Sequence, residues 1–417
     1  MTNAGPLSRR LGLVDAIAIG LGSMIGAGVF AVFAPAAAAA GSGLLIGLAI
    51  AAGVAYMNAT ASAQLAAQYP TSGGTYVYGR EQLGEWPGYL AGWSFVVGKT
   101  ASCAAMALTF AAYVAPPHWQ KVVAIVAVLV LAIVNSFGVT KTATAAKIIV
   151  VIVLAVLGLV VVAASLSGQG SPANLLGGLG EHGWYGVLQS AGLLFFAFAG
   201  YARIATMGEE VRSPQRTIPR AIMIALALAL VVYFVIAVAA LATLGSERLA
   251  ASSAPLVDVA GIGGWAWTGP IVRVGASAAA LGALLALIAG VGRTGLAMAR
   301  NDDLPRWLAA VHPRYQVPHR AELTVAAIVS VLILTVDLRA AIGFSSFGVL
   351  LYYLVANIAA YRQDAEHRRF PQPLQVIGAA GCILLVATLP WGSIAGGIVV
   401  LVIGAAYRAI RLRVTNR

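Results

Sequence analysis

Charge is what this chain lacks most. Asp, Glu, Lys and Arg make up 10% of its 417 residues, against roughly 25% in a soluble globular domain. Acids are scarcer than bases, 14 against 26, for a formal net charge of +12. Cysteine is nearly absent. Cys103 and Cys382 both sit inside apolar runs without zinc-ligand spacing, which argues against a disulfide framework and a zinc site. The five histidines, His118, His182, His312, His319 and His367, fall in loops or near the ends of apolar runs, and no His/Cys/Asp cluster has metal spacing. No GxSxG nucleophile elbow and no Walker phosphate loop occurs. Neither an enzyme nor a cofactor or metal is expected.

What the chain has instead is apolar length. Hydrophobic residues are 60% of the total and the mean hydropathy is +0.89. Runs of about 20 apolar residues recur throughout, each long enough to cross roughly 30 Å of hydrocarbon. No soluble core could bury so much apolar surface, so the solvent is lipid. The basic surplus could point to nucleic acid, but in such a chain it reads as loops held on the positive-inside face. Ser8-Arg9-Arg10 before an apolar run resembles a signal peptide, yet the run from Ile17 to Ala40 is long and polytopic sequence follows, so it reads as a retained first helix.

The expected spans are 14–40, 42–68, 87–114, 120–137, 146–166, 184–208, 219–244, 269–298, 322–337, 341–361, 374–390 and 392–409. One set of connections holds most of the bases, among them Arg9, Arg10, Arg80, Lys141, Lys147, Arg212, Arg300, Arg306, Arg362, Arg408 and Arg417. The opposite set holds only Lys121, Arg248, Arg273 and Arg339. Both termini are therefore expected on the cytoplasmic side of an inner membrane. Thr71-Ser72-Gly73-Gly74-Thr75-Tyr76 marks a turn-rich, re-entrant loop after span two. No soluble domain is expected.

Span one carries four glycines, Gly20, Gly22, Gly26 and Gly28, near its middle. Each costs a helix about 1 kcal/mol relative to alanine. The density predicts unwinding, which survives at membrane depth only against protein or a watery cavity. Freed N–H groups there suit a carboxylate. The competing reading is close packing through small residues, since Gly22 and Gly26 have GxxxG spacing. A second interruption is expected in span six, at Phe195-Phe196-Ala197-Phe198-Ala199-Gly200-Tyr201-Ala202-Arg203. Breaks at corresponding places suggest inverted repeats, spans one to five and six to ten.

These blocks resemble the amino acid–polyamine–organocation (APC) superfamily of permeases. The likeness rests on Gly22 to Phe30, on Pro70 to Tyr78, and above all on Phe195 to Arg220 with its Glu209-Glu210 and Ile218-Pro219-Arg220; Ala299 to Pro305 adds to it. The resemblance implies an all-α, LeuT-like fold of about twelve transmembrane helices, a 5+5 inverted repeat (about 14–166 and 184–361) followed by two accessory helices (about 374–409) in one transporter domain. It implies alternating access and an amino-acid substrate. By that resemblance Ser23, Met24, Ile25, Gly26, Ala27 and Gly28 hold the substrate carboxylate, Phe198, Ala199 and Gly200 offer carbonyls to its ammonium, and Phe198 and Tyr201 close over it. One departure is evident. Proton-coupled members often carry a lysine midway along span five, near Val153 or Leu154 here, and none is present; Lys147 lies too near the cytoplasmic end.

Buried charges are functional candidates by default. Lys99 lies 13 residues after Trp86, roughly 20 Å into span three. Burial penalises its charged form, and it is expected to supply the missing coupling cation by cycling a proton; the alternative is a permanently charged structural lysine. Arg203 and Arg293 are expected to form gating ion pairs with Asp15, Glu209 or Glu210, or static ones. A weaker reading has Arg203 recognise an acidic side chain. No carboxylate falls in the middle of spans one, three, six or eight, which favours small neutral substrates over polyamines or strongly cationic ones. An exchanger or exporter would use the same residues. A channel-like pore is the alternative from another class. Sodium coupling would need oxygens between spans one and eight, for which Ser277 and Thr294 are hydroxyl candidates. The partners expected are thus an amino acid, protons and the bilayer, without nucleic acid.

Overall fold

The computed structural model describes residues 10–26, 28–71, 73–137, 143–178 and 180–415. It is 84% helical and, among the described residues, contains no strand. In chain order the helices are α1 (Leu13–Ile25), α2 (Gly28–Ala31), α3 (Phe33–Ala40), α4 (Leu44–Gln68), α5 (Thr75–Leu83), α6 (Glu85–Val114), α7 (Gln120–Ser136), α8 (Ala143–Leu166) and α9 (Ala173–Leu176). The second half brings α10 (Gly183–Phe198), α11 (Ala202–Ala205), α12 (Pro214–Ala251), α13 (Pro255–Gly261), α14 (Gly269–Arg300), α15 (His319–Thr335), α16 (Leu338–Arg362), α17 (Gln372–Thr388) and α18 (Trp391–Thr415).

Each expected span falls on one of these helices or on a broken set of them. Ten stretches among the described residues are long and apolar enough to cross a bilayer; α15 and α17, 17 residues each, are shorter. Helix ends follow local chemistry. Proline opens α12, α13, α14 and α17, where a missing N–H costs nothing. Asp337 caps α16, its carboxylate accepting from the Ala340 N–H at 2.7 Å. Span seven ends where expected, because Gly245 (φ 71°) breaks α12.

The centre of the bundle is α6, α10 and α16. Over the most apolar membrane-length stretch of each, 83% of span six and 72% of α6 and of α16 is buried, against 22% of α7 and α18, which form the outer layer. Small residues allow this crowding. At the crossing of α6 and α16, a methyl group on Gly348 would lie 2.7 Å from the Ser94 carbonyl oxygen and 2.8 Å from the Gly98 Cα. Ser102 and Ser345 then share a hydrogen bond of 2.6 Å across the same seam.

One end of the bundle is rich in arginine. There Asp303, just past α14, is buried and takes Arg408 of α18, Arg80 of α5 (2.9 Å) and the Tyr76 hydroxyl (2.6 Å). Arg408 also reaches Glu85 at 3.2 Å and lies over the rings of Trp86 and Tyr89. The cluster joins the loop helix after span two to the loop after span eight and to the last helix.

Candidate functional site

The two glycine-flagged helices are both interrupted, and the interruptions face each other. The first helix stops at Ile25 and resumes at Gly28; a bend at Val32 separates α2 from α3. The opening is short, since Gly26 keeps right-handed helical dihedrals (φ −44°, ψ −59°). Span six runs as α10 to Phe198, tightens into a 3-10 turn over Ala199–Tyr201, and continues as α11. Glycine brings the breaks into backbone contact. A methyl group at Gly200 would sit 2.4 Å from the Ser23 carbonyl carbon and oxygen, and one at Gly28 would sit 2.7 Å from Ala197 Cβ. Of the GxxxG pair, a methyl group at Gly26 would meet Ala283 Cβ of α14 at 3.0 Å, whereas one at Gly22 would make only an ordinary contact with Val150 at 3.4 Å.

A broken helix leaves carbonyls without helical partners, and each must find a donor in the low-dielectric interior. Here the donors come from three other helices. Tyr233 of α12 gives its hydroxyl to Ala197 O at 2.9 Å. Lys99 of α6 gives its ammonium to Ala199 O at 3.1 Å, and Tyr353 of α16 reaches the same oxygen at 3.5 Å. On the span-one side, Tyr113 of α6 bonds Phe30 O at 3.2 Å. Lys99 is 6% exposed, and among the described residues no carboxylate lies within ion-pair distance of it.

The expected site residues fall as follows. Ser23, Met24 and Ile25 lie in the last turn of α1, where the helix's own i−4 carbonyls take their N–H groups; the Ser23 hydroxyl bonds back to Ile19 O at 2.9 Å. Backbone donors for a carboxylate thus narrow to the stretch at Gly26 and Gly28, with Ala27 outside the described residues. Phe198 and Tyr201 are fully buried beside the break, edge-on to Tyr233 (5.0 Å between ring centres) and tilted against Tyr353 (5.1 Å) respectively. Apart from Lys147 near its start, span five is apolar: Val150 packs on Gly22, Val153 is buried and Leu154 points outward.

The expected gating groups divide: Glu210 stays within electrostatic reach of Arg203, and Asp15 is engaged elsewhere. Asp15 bonds Lys147 of α8 at 2.6 Å and caps its own helix at Gly12 N, 2.8 Å, so it is taken up away from Arg203 and Arg293. Arg203 hydrogen-bonds the Thr206 hydroxyl at 3.3 Å, and Arg293 is exposed on α14. Glu209 lies in the turn after α11. Glu210 contributes its carbonyl to Leu11 N (3.1 Å), and Arg212 N returns to Leu11 O (2.8 Å), which ties the start of span one to the tail of span six. The Ser277 and Thr294 hydroxyls bond back to Arg273 O and Gly290 O of their own helix.

Sequence reasoning missed Tyr113, Tyr233 and Tyr353, which read as apolar-run aromatics; the usable signal was that a buried phenol needs a hydrogen-bond partner. It also missed Glu322, 2% exposed in the first turn of α15 and packed on Gly292, beside Arg293. Two cavities, of about 370 and 280 Å³, lie away from the breaks, one among Arg248, Asp258 and Ala266, the other walled by α6, α14 and α15.

The architecture is that of a polytopic helical membrane protein whose first and sixth spans are interrupted against each other. The chain belongs to the amino acid permease family of the APC superfamily, which it matches over residues 11–407. It is 58% identical to an uncharacterized transporter of Mycobacterium tuberculosis, over 99% of this chain and 93% of that one. It is 28% identical to a chloroplastic cationic amino acid transporter of Arabidopsis thaliana (86% of this chain, 66% of the relative) and 25% identical to a branched-chain amino acid permease of Bacillus subtilis (95% and 92%). It is thus a multi-pass membrane transporter rather than an enzyme.

Proposed function

We propose that the protein is a secondary carrier of small or neutral L-amino acids that works by alternating access. The observation that carries this reading is the junction of the two breaks, where Lys99 meets Ala199 O next to Gly200, which lies against the Ser23 backbone, while Gly28 lies against Ala197. A zwitterion fits it: backbone donors at the first break suit the carboxylate and carbonyls at the second suit the ammonium. The relatives' names divide between cationic and branched-chain amino acids. The lack of a carboxylate at the junction favours the neutral class. The support for a 5+5 repeat is that each proposed half, about 14–166 and 184–361, opens with a broken helix, leaving α17 and α18 as accessory helices of a twelve-span domain. The arginine-rich end, with both termini, is the proposed cytoplasmic face of an inner membrane.

Lys99 is the proposed coupling group, exchanging a proton as the site opens and closes. The titratable groups around it are Cys103 on its own helix and, from α16 and the span-six turn, Tyr353 and Tyr201. The test begins with binding. Purified protein is melted with each common amino acid, since a ligand of the folded state raises the melting point by mass action. A neutral L-amino acid should do so, and Gly26→Val should abolish the effect. A shift by non-amino-acid amines alone would overturn the substrate class. In liposomes, saturable uptake with counterflow separates a carrier from a pore, and full pH-dependent uptake by Lys99→Ala would remove Lys99 from the coupling.

A further inference from the structure

Resting on the reading that the two breaks form the amino-acid site, we infer that Lys99 sets its charge specificity: by holding the Ala199 carbonyl with its own ammonium, it excludes lysine and arginine as substrates. The first observation is occupancy. A carbonyl oxygen has two lone pairs, and Ala199 O already faces two donors, Lys99 Nζ at 3.1 Å and the Tyr353 hydroxyl at 3.5 Å. The neighbouring Ala197 carbonyl is held by Tyr233 at 2.9 Å. An incoming ammonium must share or replace one of these bonds, so Lys99 acts as a tethered rival of the substrate's amine.

The second observation is charge. Lys99 is 6% exposed and, among the described residues, has no carboxylate partner. The buried acids Asp303 and Glu322 lie elsewhere, one in the arginine cluster and the other at the start of α15. A neutral amino acid brings a carboxylate with its ammonium and adds no net charge beside Lys99. Lysine and arginine add a second uncompensated cation to a desolvated site, which a low dielectric penalises strongly. The seam between α6 and α16 keeps Lys99 from retreating: Gly98, one residue before it, lies against the backbone of Ser345 and Gly348.

The experiment measures dissociation constants of L-leucine, L-alanine, L-arginine and L-lysine for the full-length protein by ligand-dependent melting. The forms compared are the wild type, Lys99→Met, Lys99→Gln and the charge-retaining Lys99→Arg. Two neutral substitutions are used so that one misfolded variant does not decide the matter. Wild type and Lys99→Arg should respond to a neutral amino acid and not to arginine or lysine. At least one neutral variant should bind arginine or lysine at least tenfold more tightly than wild type, a change of about 1.4 kcal/mol. The inference is overturned if wild type binds arginine as well as leucine, or if both neutral variants bind leucine and still exclude the cations. If no amino acid stabilises any form, the site itself is misassigned, and that failure is distinguishable because wild type shows it too.

Discussion

Replacing Arg408 by methionine tests whether the arginine-rich end is held by one buried charge cluster. The Arg408 and Asp303 side chains are 5% and 3% exposed, so their pairing is shielded from water and salt. Breaking a buried ion pair by removing one partner costs about 3–5 kcal/mol, because the other charge is stranded. Asp303 keeps Arg80 at 2.9 Å and Tyr76 at 2.6 Å, which places Arg408→Met at the low end, about 3 kcal/mol. Asp303→Asn strands Arg408 instead; its other acid, Glu85, is 67% exposed and compensates poorly. The double variant strands neither, so it should melt above at least one single variant, with a coupling energy of about 2 kcal/mol. The assay is thermal unfolding of the four proteins in one detergent, at low and high salt. Arg306→Ala is the control: its pair with Asp302 is 77% and 39% exposed, and its loss should leave the melting point unchanged. Additive single effects, or an Arg408→Met no worse than Arg306→Ala, would refute the cluster.

Three further outcomes follow from the same geometry. Gly200→Val places a methyl-bearing carbon 2.4 Å from the Ser23 carbonyl, with backbone on both sides, so it should lose about 1–3 kcal/mol or more in melting experiments and abolish amino-acid-induced stabilisation. Tyr233→Phe leaves the buried Ala197 carbonyl without its hydroxyl donor and should cost about 1–3 kcal/mol while expressing as a folded protein. Tyr76, outside the spans, has its hydroxyl pushed up to about 12, first by burial and then by the hydrogen bond to Asp303. Its folded value exceeds the ordinary 10.0, so the stability it contributes is full below about pH 10 and is lost as pH rises through about 12. The stability gap between wild type and Tyr76→Phe should therefore narrow across that window; a constant gap would show that Tyr76 does not ionise there.

The spans were legible because lipid imposes a simple rule on sequence: about 20 apolar residues between polar turns. The breaks were legible only in part: Ala199-Gly200 marks the 3-10 turn in span six, whereas Gly20 and Gly22 stay inside α1, which ends only at Ile25. Partners were not legible. Asp15 and Lys147 are 132 residues apart, Asp303 and Arg408 are 105 apart, and nothing local in either segment selects the other. Arg408 reads from sequence as a basic residue at the end of a last span. Only packing of α18 against α6 turns it into a buried bridge between Trp86, Tyr89 and Asp303. Tyr113, Tyr233 and Tyr353 escaped for a related reason: an aromatic in an apolar run is usually packing, and which carbonyl its hydroxyl meets depends on helices far away in sequence.

Lys99 shows how one chemical requirement can be met from another helix. The resemblance places a lysine near Val153 or Leu154 of span five, where this sequence has none, and Val150 of α8 packs on Gly22 instead. Yet the second break still has a carbonyl to satisfy, because the 3-10 turn over Ala199–Tyr201 interrupts the helical ladder at membrane depth. A tyrosine alone reaches it at 3.5 Å; the lysine, arriving from α6 on a four-carbon stem, reaches it at 3.1 Å. A hydroxyl would satisfy the oxygen without bringing charge, as Tyr233 does for Ala197. Using an ammonium instead places a costly buried cation where, among the described residues, no acid pairs with it, and packing alone does not require that. The choice makes sense if the charge is used during the cycle, which is why pH-dependent uptake and rejection of cationic substrates should both depend on this one side chain.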